Sequence, residues 1–290
     1  MANYYNNRNN NQREHSDRFQ QNRPNPPQKN HFKHLSNPGW FFYRYYYQEL
    51  EDFKEKNKAM EKFLLTKNTL KPIAPIQNQQ FVLKVVYPGL LIGSGSAHET
   101  GGDGESKLGF SFDYTTGLPL IPGSSIKGLL RSAFPNSIKK KRKKEEEDNL
   151  NETYRKSRRE YIKECLGSAS DIDIDALEFE IFEGVVDGKS IPVYQRDIFF
   201  DAYPSVNESK EESIRLFGCD YITPHSNPLK NPIPVQFLKI MPEVVFRFNF
   251  DLKDGLIAAG QKKKLFEKIL LDFGIGAKTN VGYGQFTKAT

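Results

Sequence analysis

KDGLIAAGQKKKLFEKILLDFGIGAKTNVGYGQFTK, residues 253–288, is the stretch from which the rest of the chain can be read. Apolar residues recur at helical spacing up to Phe273 and predict a helix over 253–273. VGYGQFTK (281–288) predicts a closing strand. Between them stand Gly274-Ile275-Gly276, the five residues AKTNV, and Gly282-Tyr283-Gly284. Two units of glycine, large apolar residue, glycine thus bracket a short helix-to-strand connection. Without a Cβ, the chain can turn sharply and come close to a ligand or to another segment. Amides released in such a turn can cradle phosphate, and Lys278 adds a positive charge. A dinucleotide-binding fingerprint is excluded, because its glycines must follow a strand and open a helix. No GxxxxGK[ST] phosphate loop occurs anywhere in the chain.

Working upstream, VQFLKIMPEVVFRFNFDL (235–252) reads as a long strand broken at Pro242. ALEFEIFEGVVDG (176–188) and KSIPVYQRDIFFDAYP (189–204) read as two extended runs joined at Asp187-Gly188, a hairpin signal. SSIKGLLRSAF (124–134) reads as a short helix capped by Ser124 or Ser125. FVLKVVYPGLLI (81–92) is rich in β-branched residues and reads as a strand, followed by a glycine-rich loop over 93–109. With the appendages set aside the order is β, α, β, β, α, β. That is the split order of a ferredoxin-like (RRM-type) fold, so the expected class is α+β. The expected domain spans 67–290, with a charged insertion at 136–164 and an irregular, Pro- and Asn-rich one at 205–234.

Residues 1–39 form a polar arm rich in Asn, Gln, Arg and Pro, expected to be disordered because it has little apolar surface to bury. Residues 40–66 contain no Gly or Pro and predict one amphipathic helix whose aromatic start packs on the main domain or on a neighbour. In the insertion, Lys139 to Lys144 abut Glu145 to Asp148 and a charged helix then runs to Cys165, a pattern that reads as a solvated surface segment.

The 290 residues carry 42 Lys and Arg against 36 Asp and Glu, a net charge of +6, which suits a nucleic-acid partner without requiring one. Two cysteines, Cys165 and Cys219, lie at no metal-ligand spacing and read as free thiols of a cytoplasmic protein. No apolar run is long enough to span a bilayer, and Asn and Gln stand where a secretory apolar region would be.

A second motif is LPLIPGSSIKGLLRSAF (118–134). It puts Ser124 and Ser125 at a helix N-terminus, where unpaired amides favour an anion, and spaces Lys127 and Arg131 for one helix face. Together these read as a candidate RNA-phosphate site, the alternative being a capped helix with an ordinary charged face.

The two motifs resemble those of the RAMP superfamily of CRISPR proteins, an IPGSSxKGxxR-type first helix and a C-terminal GφGxxxxxGφG loop. FDAYP (200–204), DYITPH (220–225) and VQFLKIMPEVVFRF (235–248) extend the resemblance toward the Cmr proteins of type III-B effector complexes. It covers residues 81–290. The resemblance implies one modified RRM-like domain without catalytic activity, holding guide RNA near its 3′ end in a ribonucleoprotein for antiviral defence. Its implied partners are guide RNA, with target RNA as a further candidate, and other Cmr and RAMP subunits. Carried over, the RNA-binding positions are Ser124, Ser125, Lys127, Arg131, Gly274, Gly276, Lys278, Asn280, Gly282 and Gly284. No cofactor or metal is expected.

Some relatives of this kind process precursor RNA, so the alternative is a metal-independent endoribonuclease with His98 as general base. Of five histidines, His15, His31 and His34 lie in the polar arm and His225 in the Pro-rich stretch, which leaves His98. A lone loop histidine without an identifiable partner reads as structural. Glu99 and Asp103 match no catalytic motif. With His98 on a flexible loop they are weak grounds for a metal site. Asp201 reads as a structural or interface carboxylate.

Overall fold

The computed structural model describes residues 37–46, 53–69, 71, 76–93, 110–137, 145–167, 172–206, 212–222 and 235–289, all within one unit, Leu35–Thr290. The chain begins with α1 (Pro38–Phe41), which runs on as a π turn over Phe42–Tyr46, then α2 (Phe53–Glu61) and β1 (Leu64–Thr66). Next come β2 (Gln79–Val85), α3 (Gly123–Ser132), α4 (Glu145–Leu166) and α5 (Ile174–Glu183). Short strands come after them: β3 (Val185–Val186), β4 (Lys189–Ser190), β5 (Ile198–Phe199), β6 (Tyr203–Ser205) and β7 (Ser213–Arg215). The chain then forms β8 (Phe217–Ile222), β9 (Val235–Ile240), β10 (Val245–Asp251), α6 (Ala259–Phe273) and β11 (Phe286–Lys288).

The architecture is a mixture of helix and sheet. The main sheet has five strands in the order β11–β2–β10–β5, with β6 also paired to β10. Every pairing in it is antiparallel. Register sets Phe81 opposite Phe248 and Val85 opposite Phe286. Period-2 alternation then puts Leu83, Val85, Phe246, Phe248 and Phe250 on one face, and all five are buried. Phe199 meets the Phe250 and Phe266 rings, so β5, β10 and α6 share one core. Each buried phenylalanine contributes about 2–3 kcal/mol by leaving water. In the same layer, buried Lys262 of α6 pairs with Asp197 at 2.8 Å and Glu180 at 3.0 Å. Burial raises the pKa of Asp197 against that pairing.

Four readings of the sequence change. The run 176–188 is not extended: α5 occupies Ile174–Glu183, and only Val185–Ser190 form the hairpin at Asp187-Gly188. Asp173 caps α5 by accepting from the amides of Asp175 and Ala176, and Gly184 ends it in the left-handed region at φ 65°. Residues 40–66 are not one helix. Phe42 leaves the helical stripe to pack on Tyr46, Phe110 and Phe112, and Leu64–Thr66 pair with β7 instead.

The stretch 205–234 is less irregular than its composition suggests, since β7 and β8 lie in it and β8 pairs with β9. Residues 207–211 and 223–234 are outside the described residues. The charged insertion is docked rather than merely solvated. Ile162 of α4 is buried, Arg159 pairs with Asp175 at 2.8 Å, and the Tyr161 hydroxyl donates to Asp272. The basic run itself and most of the arm 1–39 fall outside the described residues. The break at Pro242 is present, since β9 ends at Ile240 and β10 begins at Val245. Among the described residues no helix is long and apolar enough to cross a membrane.

Candidate nucleic-acid interface

β2 ends at Val85, just short of the Tyr87-Pro88 turn, and residues 86–91 are stitched to the C-terminal glycine loop. The Val86 amide donates to the Gln285 carbonyl at 3.1 Å, and the Gly284 amide to the Gly89 carbonyl at 2.8 Å. Leu90 and Ile240 exchange backbone bonds at 3.0 and 2.9 Å, and the Ala277 amide reaches the Leu91 carbonyl at 2.9 Å. The two glycine units also meet each other, Ile275 donating to Gly284 at 2.8 Å.

This stitching explains the glycines. A Cβ on Gly276 (φ 101°) would lie 2.2 Å from the Leu91 carbonyl oxygen, and one on Gly284 (φ 70°) would lie 1.9 Å from that of Ile275. Neither position accepts a side chain. It also corrects the expectation that glycines free the amides. Those of Ile275, Ala277, Val281, Gly282, Tyr283 and Gly284 are bonded within the protein. The amides of Gly276, Lys278, Thr279 and Asn280 have no acceptor among the described residues.

Beneath the loop, Tyr283 turns inward onto Leu91 and the edge of Phe237. Its hydroxyl donates to Asp220 at 2.7 Å, and the Lys239 ammonium contacts the same carboxylate oxygen at 2.6 Å. Burial would raise the pKa of Asp220, but the hydrogen bonds from Lys239, Tyr283 and the Tyr221 amide outweigh it and hold the group below the usual carboxylate range. Lys239 is only 8% exposed. Its charge is matched inside the fold and is not offered to a ligand. Lys278 is different. It sits in the left-handed region at φ 60°, opens the turn Thr279–Val281, and has no carboxylate partner among the described residues.

The second motif lies elsewhere. The glycine loop leads into β11, one edge of the main sheet, whereas Lys127 stands over the Phe199 ring (5.6 Å to its centroid) on β5, the other edge. The two motifs thus stand toward opposite edges of the main sheet. α3 begins at Gly123 behind Pro122, so neither Ser124 nor Ser125 is the cap, although both are exposed. Asp201 accepts from the Gly123 amide at 2.7 Å and already supplies the anion. Arg131 is bound to the Glu183 carboxylate and lies 3.6 Å from that of Glu178. Partial burial, then Arg131 and Arg196, lower the pKa of Lys127.

All five histidines, together with Glu99 and Asp103, lie outside the described residues. Among the described residues no group of His, Cys, Asp and Glu is gathered to hold a metal ion. A cleft of about 580 Å³ lies beside α5 and α6, but Lys262 in its lining is paired with both Asp197 and Glu180. What sequence reasoning missed at the loop is Tyr87. Inside an apolar run it reads as strand, yet it is 82% exposed.

The RAMP superfamily pattern matches residues 82–287. Among curated proteins, CRISPR system CMR subunit Cmr6 of Saccharolobus solfataricus is 31% identical over 183 residues, which is 61% of this chain and 48% of that protein. The chain thus spans about half the length of that relative. Among solved structures, a chain from the cryo-EM structure of the type III-B Cmr-beta bound to cognate target RNA aligns at 28% identity and TM-score 0.41, covering 71% of this chain and 56% of that one. Cmr6 from Pyrococcus furiosus aligns at 21% identity and TM-score 0.42, covering 73% and 97%. The matched span contains both the IPGSSIKGLLR helix and the whole glycine loop, and the chain belongs to the RAMP superfamily.

Proposed function

We propose that this chain is a non-catalytic, guide-RNA-binding subunit of a type III-B CRISPR (Cmr) effector complex, placed near the 3′ end of the guide and flanked by other Cmr subunits. One observation carries the reading. The glycine loop is bonded to residues 86–91 and, through the Tyr283 hydroxyl, to Asp220 of β8, while the Lys278 ammonium has no carboxylate partner and the amides of Gly276, Lys278, Thr279 and Asn280 have no acceptor among the described residues. Fixed amides beside a cation with no carboxylate partner among the described residues suit a ribose-phosphate strand, and they recognise it without regard to sequence. The sheet order β11–β2–β10–β5, with α3 after β2 and α6 after β10, supports a single modified ferredoxin-like domain as the scaffold.

Gly274, Gly276, Lys278, Asn280, Gly282 and Gly284 form the proposed contact or hold it in shape. The exposed Ser124 and Ser125, with Lys127, form a second and weaker stretch for the same strand. Arg131 holds α3 to α5 through its carboxylates and is removed from the RNA-contacting set.

The test uses the full chain, alone and within a reconstituted complex, with guide-type and repeat-containing RNA in EDTA. The expected result is retained, uncut RNA whose affinity falls as salt rises. RNA that binds neither the chain nor the complex would overturn the reading. Specific cuts that disappear in His98→Ala would replace it with the endoribonuclease.

A further inference from the structure

We infer that Tyr87 is a stacking platform for an unpaired nucleobase of the RNA held at the glycine loop. The inference rests on the RNA reading above and adds to it the class of contact and the residue that makes it. A tyrosine ring is large and apolar enough that leaving it in water has a cost. Tyr87 is nonetheless 82% exposed on a fixed piece of backbone. The Val86 amide is bonded to Gln285, the Gly89 amide to the Val86 carbonyl at 2.9 Å, and Leu90 to Ile240, so the turn that carries the ring is fastened on both flanks. A ring presented this way loses little further freedom on binding.

One side of the ring is already engaged. The Lys239 ammonium lies 6.0 Å from the centroid of Tyr87 and 6.0 Å from that of Tyr283, on the outer limit of a cation–π contact. Because Asp220 holds that ammonium at 2.6 Å, the cation steadies the ring and does not draw phosphate. The large exposure leaves the remainder of the ring open.

The neighbouring segment is the loop itself. A Cβ on Gly282 would stand 3.5 Å from Cδ of Pro88, so the Tyr87-Pro88 turn abuts the turn that carries Lys278 and the 62% exposed Val281. An aromatic face on a turn that abuts a cation-bearing loop is the combination that single strands use, base on ring and phosphate on cation. Bases locked in a duplex cannot reach such a face, so the site takes an unpaired strand and tolerates any base.

The experiment measures binding of the full chain to a single-stranded oligoribonucleotide carrying 2-aminopurine, and to the same oligomer annealed to its complement. Wild-type protein should quench the 2-aminopurine on binding and prefer the single strand. Tyr87→Ala should bind roughly tenfold more weakly and lose the quench, with Tyr87→Phe close to wild type. Unchanged affinity and quench in Tyr87→Ala would overturn the platform and leave the RNA reading standing. Equal binding of single strand and duplex by the wild type, a result that needs no variant to fold, would also overturn it. Wild-type protein that binds neither RNA, alone or within the reconstituted complex, would overturn both.

Discussion

The glycine loop and α3 carry similar residues, glycines beside a basic side chain, Lys278 in one and Lys127 and Arg131 in the other, yet the fold treats them differently. At α3 the charges are answered from within: Asp201 takes the Gly123 amide, and Glu183 and Glu178 take Arg131. At the loop Asp220 answers Lys239 and Tyr283, but Lys278 has no carboxylate partner among the described residues. Composition alone makes the two motifs equivalent candidates for phosphate. Only their partners separate a helix that is held together from a turn that is still open.

The largest effects should come from the side chains that the loop has no room for. Gly276→Val or Gly284→Val should cost about 3–5 kcal/mol in a urea unfolding titration, combining a backbone clash with positive-φ strain. Gly282→Val meets nothing closer than 3.5 Å. It should cost only about 1–2 kcal/mol from its φ of 97°. Equal losses at Gly276 and Gly282 would break the account of the stitched inner side.

Next is Asp220→Asn, which strands the buried Lys239 ammonium and should cost about 1–3 kcal/mol near neutral pH. Because the folded pKa of Asp220 is lowered, its stabilisation is present above the ordinary carboxylate pKa and is lost as pH falls through the lowered value. Urea midpoints of wild type and variant should therefore draw together in acid. A gap that stays constant down to the acid limit would count against the assignment.

Asp201→Ala should cost about 1 kcal/mol by uncapping α3, with Asp201→Asn retaining most of it. The smallest effect separates the two regions in RNA binding rather than in folding. Lys278→Ala should lower the salt slope of binding by about 0.7, one phosphate contact on a single strand. Arg131→Ala should leave that slope unchanged. A slope that responds to Arg131 and not to Lys278 would reverse the comparison.

Much of this was legible in the sequence for physical reasons. The doubled glycines announced a backbone with left-handed residues and close approach, because no other residue fits there. Pro242 announced a break between two strands, since proline cannot donate to a ladder. The error at 176–188 arose because ALEFEIFEG satisfies both a two-residue and a helical period over so short a run. The choice was made by Asp173 and Gly184 at its ends. Partners for the buried Glu178 and Glu180, among them Asn136, Arg131 and Lys262, contributed from far along the chain. The pairing of Arg131 was invisible for the same reason, since its carboxylates, Glu178 and Glu183, are remote in sequence. Tyr87 was hidden by its neighbours, an exposed ring inside an apolar run.

The most direct measurement is a map of zero-length photo-crosslinks from 4-thiouridine guide RNA to this chain inside an assembled complex. The proposed loop predicts crosslinked peptides from residues 274–288 and from the Tyr87 turn. Crosslinks confined to the α5 and β3–β4 side of the molecule, with the loop unmarked, would contradict it.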